Sequence, residues 1–219
     1  GGAQSGALGT ASSNSLGTGT GSSSEGVRGY WAGLAFTMDA FQPFKVYADL
    51  NYGKATYNDV KSADGGDRAG WFFETAVDYT GLSMMTPQVF FAYSTGESDA
   101  NDAKSRRMPV LGAPQAWSLG SFWFGDKDLA MRGLDKRDSA NENQGFWALG
   151  ASLKDIALID NVKHTFHVMY VKGTNDADWF AKRGAAARAD YAALLSDKDS
   201  LWEVDFNTKY QMYKELSVY

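Results

Sequence analysis

Every second residue is apolar or aromatic over six stretches of the chain, and the residues between them are polar, charged or small. Phe44, Val46, Ala48, Leu50 and Tyr52 alternate with Lys45, Tyr47, Asp49, Asn51 and Gly53. Trp71, Phe73, Thr75, Val77 and Tyr79 alternate with Phe72, Glu74, Ala76 and Asp78, and Trp202, Val204, Phe206, Thr208 and Tyr210 with Glu203, Asp205, Asn207 and Lys209. A period of two means strand, because successive side chains on a pleated backbone point to opposite faces. Charge recurs in mid-strand, opposite a face bounded by large aromatics. That is the pattern of a strand whose apolar side meets lipid and whose polar side meets water.

The apolar stripes also keep one length. They run over 30–38, 44–52, 71–79, 85–93, 162–170 and 202–210. Eight residue steps of roughly 3.3 Å, tilted by about 40°, give a band on the order of 20 Å tall, close to a thin lipid belt. Amphipathic rings stand at its limits: Tyr30, Tyr52, Trp71, Tyr93, Trp147, Tyr170 and Trp202 at one end, Phe44, Tyr79 and Tyr210 at the other. Rings so placed form aromatic girdles at two water–lipid boundaries. The competing reading is the core of a large soluble β-sandwich, which has no reason to hold the stripe length constant.

Connections between the stripes alternate short and long, the asymmetry of a membrane barrel with tight turns at one end and long loops at the other. Short links are expected at Asp39–Pro43, Thr80–Met84, Asp155–Asn161 and Gln211–Glu215, and long ones at Lys54–Gly70, Glu97–Gly145 and after Tyr170. Within the last, Asp176–Ser196 reads as a helix: Asp176 or Asp178 can cap it, and Phe180, Ala187, Tyr191 and Leu194 recur at helical spacing. Residues 1–29 are a Gly/Ser/Thr-rich flexible loop or linker, and 30–219 form the barrel segment. Gly17, Gly19 and Gly21 lack the preceding strand and following helix of a phosphate cradle.

Bulk properties narrow the classes further. The net charge of −5 argues against a broad nucleic-acid surface. Cysteine is absent, which excludes a disulfide framework and thiolate metal sites. No apolar run reaches the roughly 18 residues of a spanning helix. A mean hydropathy of −0.36 suits a membrane barrel as well as a soluble protein, because only half of each strand faces lipid.

The segments YWAGLAFTM, FKVYADLNYG, ETAVDYTG and LWEVDFNTKYQMYKELSVY, within 30–219, resemble the trimeric outer-membrane porins of Desulfovibrio-type sulfate-reducing bacteria. The resemblance rests on strand and turn texture, not on a catalytic signature. It implies an all-β, transmembrane, antiparallel up-and-down β-barrel, a homotrimer, and passive diffusion of ions and small hydrophilic solutes across a Gram-negative outer membrane. The lipid bilayer and lipopolysaccharide would be its surroundings. Such barrels have about 16 strands. This sequence supplies seven strands and the start of an eighth, so it is expected to be the C-terminal part of a longer barrel.

On that reading the polar face lines a lumen. Its middle offers Asp49, Glu74, Glu203 and Asp205, and its short-turn end Lys45, Asp78, Lys154, Lys163 and Lys209. Fixed charge along a wet wall biases which ions enter, so a mild cation preference is expected; the bland alternative is solvated side chains with no net selectivity. Arg106, Arg107, Arg132 and Arg137 in the segment Glu97–Gly145 are candidates for a loop folded into the lumen, against a plain surface loop. Gly33, Ala35, Ala76, Ala92, Ala148 and Gly150 favour open space over a filled interior. The runner-up is a structural or adhesive barrel with a plugged lumen. A third reading, a substrate slide built on Tyr47, Phe72 and Phe90, has too few aromatics.

No catalytic motif is present: no GxSxG, HExxH or CxxC. His167 falls on the polar face and His164 on the apolar one, so no enzyme is expected. Glu97, Asp99, Asn101 and Asp102 have calcium-ligand chemistry but lack the glycine and terminal glutamate of an EF-hand loop. Asp64 and Asp67 form a looser pair. Solvated loop is the favoured reading of both, and no cofactor is expected.

Overall fold

The structure, a computed structural model, describes residues 27–57, 67–98, 104–109, 145–182, 195–213 and 216–218. Arg132, Arg137, the Gly/Ser-rich tract up to residue 26, and most of the expected helix lie outside the described residues.

The elements run β1 (Val27–Met38), β2 (Phe44–Tyr57), β3 (Asp67–Tyr79), β4 (Thr86–Ser94), β5 (Lys104–Ser105), β6 (Phe146–Ile159), β7 (Val162–Gly173), α1 (Ala177–Lys182), β8 (Ser200–Tyr213) and β9 (Leu216–Val218). The protein is all-β. Seven long strands make one antiparallel up-and-down sheet in the order β1-β2-β3-β4-β6-β7-β8, with the short β9 beyond β8 and β5 pairing parallel to β3. Among the described residues β1 pairs only with β2 and β9 only with β8, so the sheet is open. No described helix is long and apolar enough to cross a membrane, a criterion that says nothing of strands.

Cross-strand register keeps the apolar stripes together. One row joins Met38, Val46, Val77, Val89, Ala151, Val168 and Val204. The next joins Phe36, Ala48, Thr75, Phe91, Leu149, Tyr170 and Trp202. Period two and antiparallel pairing therefore build one continuous apolar face. That face stays uncovered: Leu34 is 70% exposed, and Val204 and Phe206 are 64% exposed. Phe44, Val46 and Phe73 do not converge on a dry interior with them.

The opposite face is the more buried one. Its core is Phe90, Ala92, Phe146, Ala148, Met169 and Val171, with Phe72, Ala76, Leu195 and Leu201 packed against them. Phe90 is 4% and Met169 1% exposed. Burying side chains of this size stabilises by about 1.5–3 kcal/mol each. This corrects the expectation of open space at Ala92, Ala148 and Gly150, whereas Gly33 and Ala35 are exposed. A Cβ on Gly150 would overlap the Phe90 ring, and one on Gly33 would overlap the Asn51 amide. Gly150, Ala92 and Ala148 are small because neighbouring rings and thioethers occupy their volume.

Several boundaries also differ from expectation. β1 begins at Val27, inside the expected linker 1–29. β2 runs to Tyr57 and β3 starts at Asp67, so both ends of the expected loop Lys54–Gly70 are strand. β6 continues to Ile159 and turns through Asp160 and Asn161, the latter at φ 62°, instead of ending near Leu153. The register shifts between Leu153 and Ile156 and again between Ile156 and Ile159, with Asp155 at φ 54°. These irregularities break the visible alternation without ending the strand. The described helix covers only Ala177–Lys182; Asp176 Oδ1 caps it, accepting from the amides of Asp178 at 2.7 Å and Trp179 at 3.1 Å. Ser196 is not helical, being bridged to Asn175.

Candidate functional site

All nine expected wall charges lie on the face opposite the exposed apolar one. Asp49 stands directly across from Glu74, Lys45 from Asp78, Lys163 from Lys209, His167 from Asp205 and Met169 from Glu203. Asp78 and Glu203 are buried, Lys163 is exposed, and Lys45, Asp49, Glu74, Asp205 and Lys209 are half-buried. Lys154 Nζ donates to both Asp78 carboxylate oxygens at 2.9 Å, and Gln88 Nε2 donates to Oδ1 at 2.7 Å. Asn51 Nδ2 donates to Asp49 Oδ1 at 2.8 Å. The Lys163–Asp155 pair, 2.8 Å apart, is fully in water's reach and worth little.

The aromatic residues expected at strand ends assemble on the exposed face. Tyr52 lies 6.1 Å from Tyr30 and 4.6 Å from Trp71, centroid to centroid. Tyr170 bridges Trp147 at 5.5 Å and Trp202 at 5.1 Å. Tyr93 registers opposite Trp147. At the short-turn end Phe44 and Tyr79 are 5.3 Å apart, and Tyr210 registers opposite Val162. Tilted pairs at these separations add about 0.5–1.5 kcal/mol beyond area burial.

Gln88, Ser152 and His167 were not among the expected site residues, yet they carry the polar face through the middle of the sheet. Ser152 Oγ and His167 Nδ1 share a hydrogen bond of 2.6 Å. His164 sits on the other face, bonded to Thr208 at 2.9 Å and stacked on Phe206.

At the long-loop end a buried polar node ties the connections together. Glu97 Oε1 accepts from Ser105 Oγ at 2.5 Å and from Arg107 Nε at 2.9 Å. The Arg107 guanidinium lies 5.1 Å from the centre of the Trp179 ring. Asn175 is fully buried; its Oδ1 accepts from the Glu97 amide, and its Nδ2 donates to Leu195 O and Gly145 O. Gly145 has φ +79° and faces the Asn175 amide so closely that no side chain fits. Thus Arg107 is held by Glu97, while Arg106 is exposed. Asp99, Asn101, Asp102 and Asp64 lie outside the described residues, and Asp67 belongs to β3. Among the described residues no three acidic or histidine side chains converge as a metal site would require.

From this node residues 104–109 run over the charged face toward β1. Trp31 Nε1 donates to Pro109 O at 2.6 Å, and Met108 packs at Gly53. A Cβ on Gly70 would overlap the Arg106 carbonyl oxygen and the Met108 nitrogen. Gly70→Ala should therefore lift this strap, at about 2 kcal/mol for an overpacked contact. Trypsin cleavage after Arg106 should accelerate roughly thirtyfold when opening precedes cleavage. Unchanged cleavage would mean the strap does not rest on Gly70.

A second outer contact has a pH signature. The Ser196 hydroxyl donates to Asp199 Oδ2 at 2.6 Å and the Ser196 amide at 2.8 Å, which, helped by Lys172, holds the Asp199 carboxyl below its ordinary value against a smaller opposing effect of burial. A depressed carboxylate stabilises the folded turn above the ordinary Asp range and loses that contribution as pH falls through the folded value. In Ser196→Ala the Asp199 titration, followed by NMR, should move up toward an ordinary aspartate. An unmoved titration would assign the depression to the Ser196 amide and Lys172 instead.

No protein-family model, curated protein or solved structure matches this chain.

Proposed function

We propose that the chain is the wall of an outer-membrane β-barrel that passes ions and small hydrophilic solutes by diffusion, working as a homotrimer in a lipid and lipopolysaccharide bilayer. One observation carries the reading. The continuous apolar face, edged by Tyr and Trp, is exposed, while the opposite face holds the charges. Water would expel a face of this extent, whereas acyl chains match it. A lipid-exposed sheet cannot leave unpaired edge strands, so on this reading the edges of β1 and β9, which are open among the described residues, are covered when the barrel closes.

The test is planar-bilayer conductance in a salt gradient. Stepwise openings in threes support a trimeric pore, and the reversal potential reports its selectivity. The buried cluster around Phe90 and Met169 favours a second reading, a structural or adhesive barrel with a filled lumen. Folded protein that inserts in vesicles but never conducts would select that second reading.

A further inference from the structure

Lys45, Asp78, Gln88, Ser152, His167 and Asp205 occupy consecutive partner positions on β2, β3, β4, β6, β7 and β8, forming one polar row across the charged face. The row beside it runs Tyr47, Ala76, Phe90, Gly150, Met169 and Glu203, apolar through its middle. Six strands thus place a polar side chain at one register level, next to a level where Phe90 and Met169 are buried. A wall that merely needed solubility would scatter its polar residues.

Within the row Asp78 is clamped by Lys154 and Gln88. The second half centres on His167. From β6 it is faced by Ser152 and, one pleat on, Lys154; from β8 by Asp205, with Glu203 and Asn207 to either side; its own strand presents Thr165 and Met169. Ser152 fixes one ring nitrogen and is itself 2% exposed, while the imidazole is half-buried and within reach of solvent. Imidazole is the side chain whose ordinary titration falls between about pH 5 and 8.

We propose that His167 makes the ion preference of the channel depend on pH, an inference that rests on the pore reading above. When the ring is neutral, this part of the wall presents the Asp205 carboxylate. When it takes up a proton, Nδ1–H donates to Ser152 Oγ and the ring cation offsets Asp205. A unit charge about 7 Å from a passing ion in water changes its energy by about one RT. Salt in the lumen screens that to about half, and the change acts with opposite sign on cation and anion, so the cation-to-anion permeability ratio should fall about two- to threefold from roughly pH 8 to roughly pH 5.5.

The experiment measures reversal potentials of the reconstituted protein in a KCl gradient over that range. Wild type and His164→Gln, altered on the apolar face, should show the fall. In a Glu74→Gln background, which takes the Asp49–Glu74 pair out of the titration, adding His167→Gln or His167→Asn should leave the response flat while the protein still conducts. The other acids opposed on this face are Asp49 and Glu74. A response that survives in His167→Gln and vanishes in Glu74→Gln assigns the effect to that pair and overturns the proposal. So does a conducting wild type with no pH response. Folded protein that never conducts overturns the pore reading itself, a distinct result.

Discussion

Val204→Arg should destabilise the protein folded in phospholipid vesicles by about 2–4 kcal/mol, the cost of an arginine near the bilayer midplane on a lipid-facing strand position. Val204 lies in the valine-rich row of the apolar face, directly across from Val168, and is 64% exposed. On a soluble sheet so exposed a site tolerates arginine within about 0.5 kcal/mol. The two readings therefore differ several-fold in one urea titration. Val168→Arg should repeat the loss, and Thr165→Arg, on the charged face, should leave stability nearly unchanged. Equal, small effects at all three positions would refute a lipid-facing surface.

The faces were legible in the sequence because period two survives any register. Whether Val204 pairs with Val168 or slips by two residues, it stays on the same side of the sheet. The alternation of short turns and long loops was legible for a related reason, since turn chemistry is local. Partners were not. Reflection about the Asp160–Asn161 turn would set Ser152 against Met169; the two shifts in β6 move it to His167 instead. Two single-residue shifts preserve the face and change the neighbour, which is why the polar row escaped the linear reading. Gly150 was misread for a third reason. A glycine on a wall looks like space until the Phe90 ring from the adjacent strand is placed over it. The node at Glu97 and Arg107 depends on contacts with Asn175 and Trp179 far along the chain, and no local pattern marks it.

Glu97→Ala should cost about 3–5 kcal/mol, the effect of removing one partner from a buried ion pair. The Glu97 side chain is 3% and the Arg107 side chain 9% exposed, so water does not replace the lost carboxylate. Ser105 loses its acceptor at the same step, and the Arg106 amide loses a 3.3 Å contact to Oε2. Arg107→Met removes the charge while keeping a chain to lie against Trp179, and should cost less. The double variant should be more stable than the sum of the two single losses, with a coupling of about 2 kcal/mol or more in denaturant titrations. Removing both charges also removes the burden of desolvating them, so Glu97→Leu with Arg107→Met is expected to come close to wild type. What that variant should not recover is the path of residues 104–109 over Gly70, because Ser105 and the Arg106 amide are placed by the carboxylate. Trypsin should cleave it faster after Arg106 even where global stability is restored. A coupling within about 0.5 kcal/mol would mean a solvated pair, and the strap would then be held by its pairing with β3 and its contacts with Trp31 and Gly70 rather than by the carboxylate.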